Sequence, residues 1–152
     1  MSDLKGTQLF SPFDENENVK HGLPSAAYTS KDFYELESKL VFAKSWTFAG
    51  FAHDLAQVGD ITPLDMAGQP LILVRSSKNK IRAFHNVCRH RNLKLVDKPR
   101  NCKSLITCPY HNWCYNLDGQ LRATPFFGGQ KTELLKDFKL KDHSLLEVPC
   151  EL

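Results

Sequence analysis

The 152-residue sequence contains no apolar run near the ~20 residues that cross a bilayer. Its first ten residues, MSDLKGTQLF, lack the apolar core of a signal peptide. A membrane-embedded or exported protein is therefore not expected, and a cytoplasmic one is. Cysteine is present five times, an odd number, and nothing points to an oxidising compartment. A disulfide scaffold is the weaker reading; metal binding or plain burial is the stronger. Internal repeats and low-complexity segments are absent. Acidic residues are scarce in one region only. From Ala67 to Lys103, ten Lys or Arg stand against Asp97 alone, so that segment carries +9 and the remainder −6. Such a stretch is either a solvated face or a docking surface for an acidic partner. Nucleic acid is not among the expected partners.

What is present fits one soluble domain with a core, at 41% hydrophobic and 24% charged residues. Residues 1–24 show no periodicity and read as a flexible arm. Residues 25–46 form a helical segment. Thr29 and Ser30 are candidate N-caps, Asp32 follows Thr29 by three, and Phe33, Leu36 and Leu40 share one helical face. The spacing predicts a helix over about 30–45. Residues 47–152 read as β structure. WTFAGFA, ITPLDM, LILVRS, IRAFHNV, SLITC, WCYNL and LRATP are short, rich in β-branched or aromatic residues, and separated by turn formers. Asp118-Gly119 is the strongest hairpin signal. An all-β domain behind one N-terminal helix is the expectation.

Two loops carry the chemistry. Cys88-Arg89-His90 follows the strand IRAFHNV, and Cys108-Pro109-Tyr110-His111 follows SLITC, with seventeen residues between His90 and Cys108. Each offers one thiolate and one imidazole at a hairpin tip. Either pair alone is a weak signal, because a buried cysteine is usually a small hydrophobe. Together they read C-x-H, seventeen residues, then C-x-x-H-x-W. A structural zinc could use the same four side chains, although C-x-H is tight for zinc and the flanking CPYH-x-W goes unexplained by it.

The combination resembles the Rieske iron–sulfur family. GFAHDLAQVGD, LILVRSSKNKIRAFHNVCRHRNLKLV and CPYHNWCYNLDGQLRATP are similar to the N-terminal Rieske domain of ring-hydroxylating oxygenase α subunits. The resemblance implies a mainly β fold: an antiparallel β sandwich with two cluster-binding hairpin loops. It implies a Rieske-type [2Fe–2S] cluster, with Cys88 and Cys108 on one iron and His90 and His111 on the other. Neutral imidazoles in place of two thiolates remove negative charge and raise the potential into the range of about −150 to +300 mV. Respiratory-chain members add a disulfide between the loops and a serine beside the cluster. Leu93, Tyr110 and Trp113 stand at those positions, which implies the low end of that range. The family usually has glycine where Asn92 and Asn112 stand, positions expected to need φ > 0, and asparagine is the next most tolerant residue there.

The resemblance also implies roles and partners. The donor would be a ferredoxin or reductase. The acceptor would be a mononuclear iron on an oxygenase catalytic domain or neighbouring subunit. No second iron site is legible: four residues separate His85 from His90, but His90 is claimed by the cluster and no acid occurs from Met66 to Val96. The chain is thus expected to be an oxidoreductase component with no catalytic residues of its own, unable to hydroxylate a substrate alone. A free-standing Rieske ferredoxin is the alternative. Cys102, Cys114 and Cys150 are read as structural, and His21, His53 and His143 as surface or capping residues. Trp113, Tyr115, Phe84 and Trp46 are read as core.

Overall fold

The computed structural model describes residues 22–23, 25–125, 127 and 137–152. The arm at 1–24 lies almost wholly outside the described residues, and His21 with it. The chain divides into two compact units, Met1–Thr47 and Phe48–Leu152.

The first unit carries a helical turn, α1 (Ala26–Thr29), and one longer helix, α2 (Lys31–Leu40). Ser30 is the N-cap of α2; its hydroxyl accepts the Phe33 N–H at 3.3 Å, and Asp32 sits in the first turn. An acceptor and a negative charge at that end satisfy the free N–H groups and the helix dipole. The helix ends five residues earlier than the apolar spacing predicts, because Val41 leaves helical geometry at φ −109° and a 3₁₀ turn, Phe42–Lys44, follows.

The second unit is antiparallel β structure in two sheets. The strands are β1 (Asp60–Met66), β2 (Gln69–Ser77), β3 (Lys80–His85), β4 (Arg100–Asn101), β5 (Leu105–Thr107), β6 (Cys114–Asn116), β7 (Leu121–Ala123) and β8 (Glu147–Val148). Five form a sheet in the order β4-β1-β2-β3-β8, and three form a sheet in the order β5-β6-β7. Ile61, Ile72, Val74 and Phe84 of the larger sheet share one core with Ile106, Tyr115 and Leu121 of the smaller. The opposite face of β2 and β3 buries Leu73, Ile81 and Ala83 against Leu55. Both faces of β2 are therefore covered, which is why Leu71–Arg75 is a continuous buried run with no polar alternation.

Six of the seven sequence-predicted strands form. WTFAGFA does not: it is irregular backbone leading into a 3₁₀ turn, Ala52–Leu55. Its aromatic residues Trp46, Phe48 and Phe51 are exposed, and Trp46, expected in the core, is 69% exposed. The strands β4 and β8 were invisible in the sequence because two paired residues are too few to show a periodicity.

Asp118-Gly119 turns the β6–β7 hairpin as predicted. Asn116 organises it, its side-chain oxygen accepting the Asp118 and Gln120 N–H groups at 3.2 and 2.8 Å. Gly119 has φ +78°, and a Cβ there would lie 2.5 Å from Phe84 Cε1. Only glycine fits that approach. The hairpin is fastened to the larger sheet by Arg82, which ion-pairs with Asp118 (2.9 Å) and with Glu147.

Candidate metal centre

The two candidate loops are built alike, twenty residues apart. Cys88 N–H donates to Leu93 O (2.8 Å) and Asn92 N–H to Cys88 O (3.0 Å); Cys108 N–H donates to Trp113 O (2.9 Å) and Asn112 N–H to Cys108 O (3.1 Å). Residues 89–91 and 109–111 form the turns. Each turn returns through an asparagine in the left-handed region, Asn92 at φ 56° and Asn112 at φ 55°. These are the two positions where the sequence leads one to expect positive φ.

The loops bring His90 to His111 and Cys88 to Cys108. The imidazole centroids of His90 and His111 are 4.7 Å apart. Nδ1 of each ring is buried and has no hydrogen-bond partner. The Cys88 and Cys108 side chains are buried, and the Cys88 thiol has the Cys108 thiol as a hydrogen-bonding neighbour. Burial pushes the Cys88 thiol up, opposed by the Tyr115 hydroxyl and the His90 backbone N–H, which favour the thiolate. Burial holds His90 below its ordinary value, with His111 and Arg91 adding positive charge nearby, so the neutral imidazole, the form able to bind a metal, is favoured.

Buried polar atoms without partners are rare in folded proteins. Two orphaned ring nitrogens and two buried thiols on one pair of loops make a donor set that fits a metal group. Among the described residues, no three His, Cys, Asp or Glu side chains converge as one tetrahedral ion would require. A binuclear cluster asks only two protein donors of each iron, and this set suits it. When bound, such a cluster supplies one-electron transfer.

Tyr115, read from the sequence as core, is fully buried and does more. Its hydroxyl lies 3.3 Å from Cys88 Sγ and accepts the Arg89 N–H at 3.0 Å. Burial raises its pKa, so it keeps its proton, and that proton is free to go to the sulfur. A hydroxyl therefore reaches a ligand-loop thiol despite the missing serine. The signal available was the period of two: Trp113 and Tyr115 flank Cys114 on β6 and face the same core. Trp113 stacks on His90 at 4.6 Å and 6°, and meets Phe127 and Phe138 edge-on.

The remaining predicted residues lie apart from the centre. Cys102 donates to Gly59 O and Cys114 to Asn112 O, each at 3.1 Å, and Cys150 packs with the Leu55 cluster. His53 is exposed and stacked on Phe51; His143 packs on Phe138. The basic segment is smaller as a surface than as a sequence. Arg75 is buried and donates to the carbonyls of Ala52 (2.7 Å), Leu55 and Lys78 (2.9 Å). Arg82 is ion-paired, and Lys78 and Lys80 sit at the far end of β3 from the loop. Arg89, Arg91, Lys94, Lys98, Arg100 and Lys103 remain exposed, Lys94 within 3.4 Å of Asp97.

Among the described residues no helix is long and apolar enough to cross a membrane. A family model described as the Rieske [2Fe–2S] domain matches residues 45–139. The oxygenase subunit of carnitine monooxygenase from Acinetobacter baumannii is 38% identical over 114 residues, 75% of this chain and 31% of that protein. The oxygenase subunit of glycine betaine monooxygenase from Chromohalobacter salexigens is 35% identical over 128 residues, 84% of this chain and 27% of that protein. Among solved structures, the apo form of a quaternary ammonium Rieske monooxygenase superposes with a TM-score of 0.76 at 32% identity, covering 90% of this chain and 38% of that one. The chain thus spans about a third of the length of the relatives it matches. On the matched domain and the fold alike, this chain belongs to the Rieske [2Fe–2S] domain family.

Proposed function

We propose that Cys88 and Cys108 hold one iron of a [2Fe–2S] cluster and His90 and His111 the other, and that the chain is the electron-transfer domain of a ring-hydroxylating-type oxygenase in the cytoplasm. The observation that carries this is the pair of buried, partnerless Nδ1 atoms on His90 and His111, on the same two loops as the buried thiols of Cys88 and Cys108. Electrons come from a ferredoxin or reductase and leave to a mononuclear iron on an oxygenase catalytic domain or a neighbouring subunit. The helix before the sheet and the relatives named as oxygenase subunits support this over a free-standing ferredoxin.

Replacement of any one of the four ligands by Ala should abolish the visible absorption and the EPR signal of the reduced protein. Variants at Cys102, Cys114 and Cys150 should retain both. A Cys102→Ala protein that lost its iron while Cys88→Ala kept it would sink the assignment.

The partner surface follows from the tip. His90 and His111 are half-buried, Tyr110 (57% exposed) and Leu93 (40%) flank them, and Arg89, Arg91 and Lys94 are exposed around them. An apolar patch with a cationic rim suits an acidic redox partner, where attraction speeds encounter and dissociation stays fast. Charge reversal at Lys94, Lys98 and Arg100 should slow reduction by an acidic ferredoxin at low salt, the difference shrinking as salt rises. A rate indifferent to both would place the docking surface elsewhere.

A further inference from the structure

The two loops close alike but are supported differently. Beneath the second, β5 and β6 form a ladder that pairs Thr107 with Cys114, Ile106 with Tyr115 and Leu105 with Asn116. Beneath the first there is no ladder. The chain leaves β3 at His85 and returns through 93–96 in irregular backbone. Asn86 stands where the ladder would be, fully buried. Its Oδ1 accepts the N–H groups of Leu95 and Val96, both at 3.0 Å, and its Nδ2 donates to Val96 O at 2.7 Å. Its own backbone N–H donates to Pro70 O at 2.8 Å, which ties it to β2.

A side-chain amide presents an acceptor and a donor in one plane, as a peptide group does. Asn86 thus pairs with the return limb as a neighbouring strand would. Serine is too short to make all three bonds, an ionised aspartate cannot donate, and leucine of similar size can do neither.

We infer that Asn86 is the positioning residue of the first loop: its amide replaces the missing strand pairing and fixes where Cys88 and His90 stand. This rests on the reading that those two residues are cluster ligands. Groups that orient ligands set affinity and electronic properties together, and their loss typically weakens metal binding by about 10–100-fold.

The test compares iron-loaded Asn86→Leu and Asn86→Ala with Leu55→Ala, a core truncation on the other face of the larger sheet. Midpoint potential, EPR g-values, release of iron to a chelator and thermal midpoint are measured on each. Both Asn86 variants should show shifted g-values, a shifted potential and iron release roughly 10–100-fold faster. Leu55→Ala should lose thermal stability with the spectrum and potential unchanged. An Asn86→Leu protein that loses stability but keeps the wild-type potential, g-values and release rate overturns the inference. Hydrogen exchange on the unaltered protein gives an answer even where the variants do not fold. The Leu95 and Val96 amides should be as protected as that of Cys108, and rapid exchange at both overturns the inference. A ligand variant that retained the cluster would strike the assignment of Cys88 or His90 alone, since the exchange result does not depend on it.

Discussion

The first candidate loop and the second are alike in backbone, cysteine and asparagine, and unlike in the three turn residues between. Each closes with the same two hydrogen bonds and returns through an asparagine near φ 55°. Yet the histidine is the second residue of the turn in one loop and the third in the other, so Tyr110 occupies the place of His90, and Arg91 that of His111. Pro109 stands where Arg89 stands. Proline has no N–H to satisfy, whereas the Arg89 N–H needs an acceptor and finds it in the Tyr115 hydroxyl. The comparison separates scaffold from cargo. Five-residue turns of one shape can present different donor atoms, provided each makes good its own local differences. The first loop does so with two borrowed side chains: Asn86 for a missing strand and Tyr115 for an unmatched N–H.

The sharpest way to break this comparison is to remove what crosses between the loops. Tyr115→Phe keeps the ring in the core and deletes one hydroxyl. The Arg89 N–H then loses its acceptor and the Cys88 sulfur its donor, and a loss of about 1–2 kcal/mol in unfolding free energy is expected. A hydrogen bond to sulfur favours the reduced, more negative state, so the potential should also fall. The drop is on the order of 50 mV for a bond about 1 kcal/mol stronger in that state. Redox titration followed by visible absorption reads it. A stability loss with an unmoved potential would make Tyr115 a cap for Arg89 and nothing more.

The sequence made the candidate donors legible and concealed their supports, for a physical reason. Thiolate and imidazole are scarce and their spacing is local, so C-x-H and C-x-x-H stand out. The positive φ at Asn92 and Asn112 could also be anticipated, because few residues other than Gly, Asn and Asp tolerate it. The strands β1, β2 and β3 announced themselves through β-branched runs between turn formers. Asn86, and the reach of Tyr115 to Cys88, could not be singled out this way. A buried asparagine in HNVC looks like any turn residue, and its three partners lie nine and ten residues on. Tyr115 meets Cys88 across 27 positions. Contacts of that kind are set by the fold and leave no local pattern. The failure at WTFAGFA has the opposite cause: its aromatic residues promise burial, but pairing with a sheet edge decides whether a strand forms.

The finest test of the likeness between the loops uses the two asparagines. Left-handed backbone is strained by roughly 1–2 kcal/mol for an ordinary L-residue and hardly at all for glycine, with asparagine between. Asn92→Ala and Asn112→Ala should each lower unfolding stability by about 1 kcal/mol. Asn92→Gly and Asn112→Gly should each stay within about 0.5–1 kcal/mol of the parent, because relief of strain is offset by the greater freedom of glycine in the unfolded chain. Both asparagines are exposed, and the two φ values differ by a single degree, so the paired effects should match between loops. Chemical denaturation of the iron-free proteins measures this without interference from the cluster. A full cost at Asn112 and none at Asn92 would mean that the first loop, held by a side chain, yields more readily than the second, held by a ladder. The equal backbones would then conceal unequal rigidity.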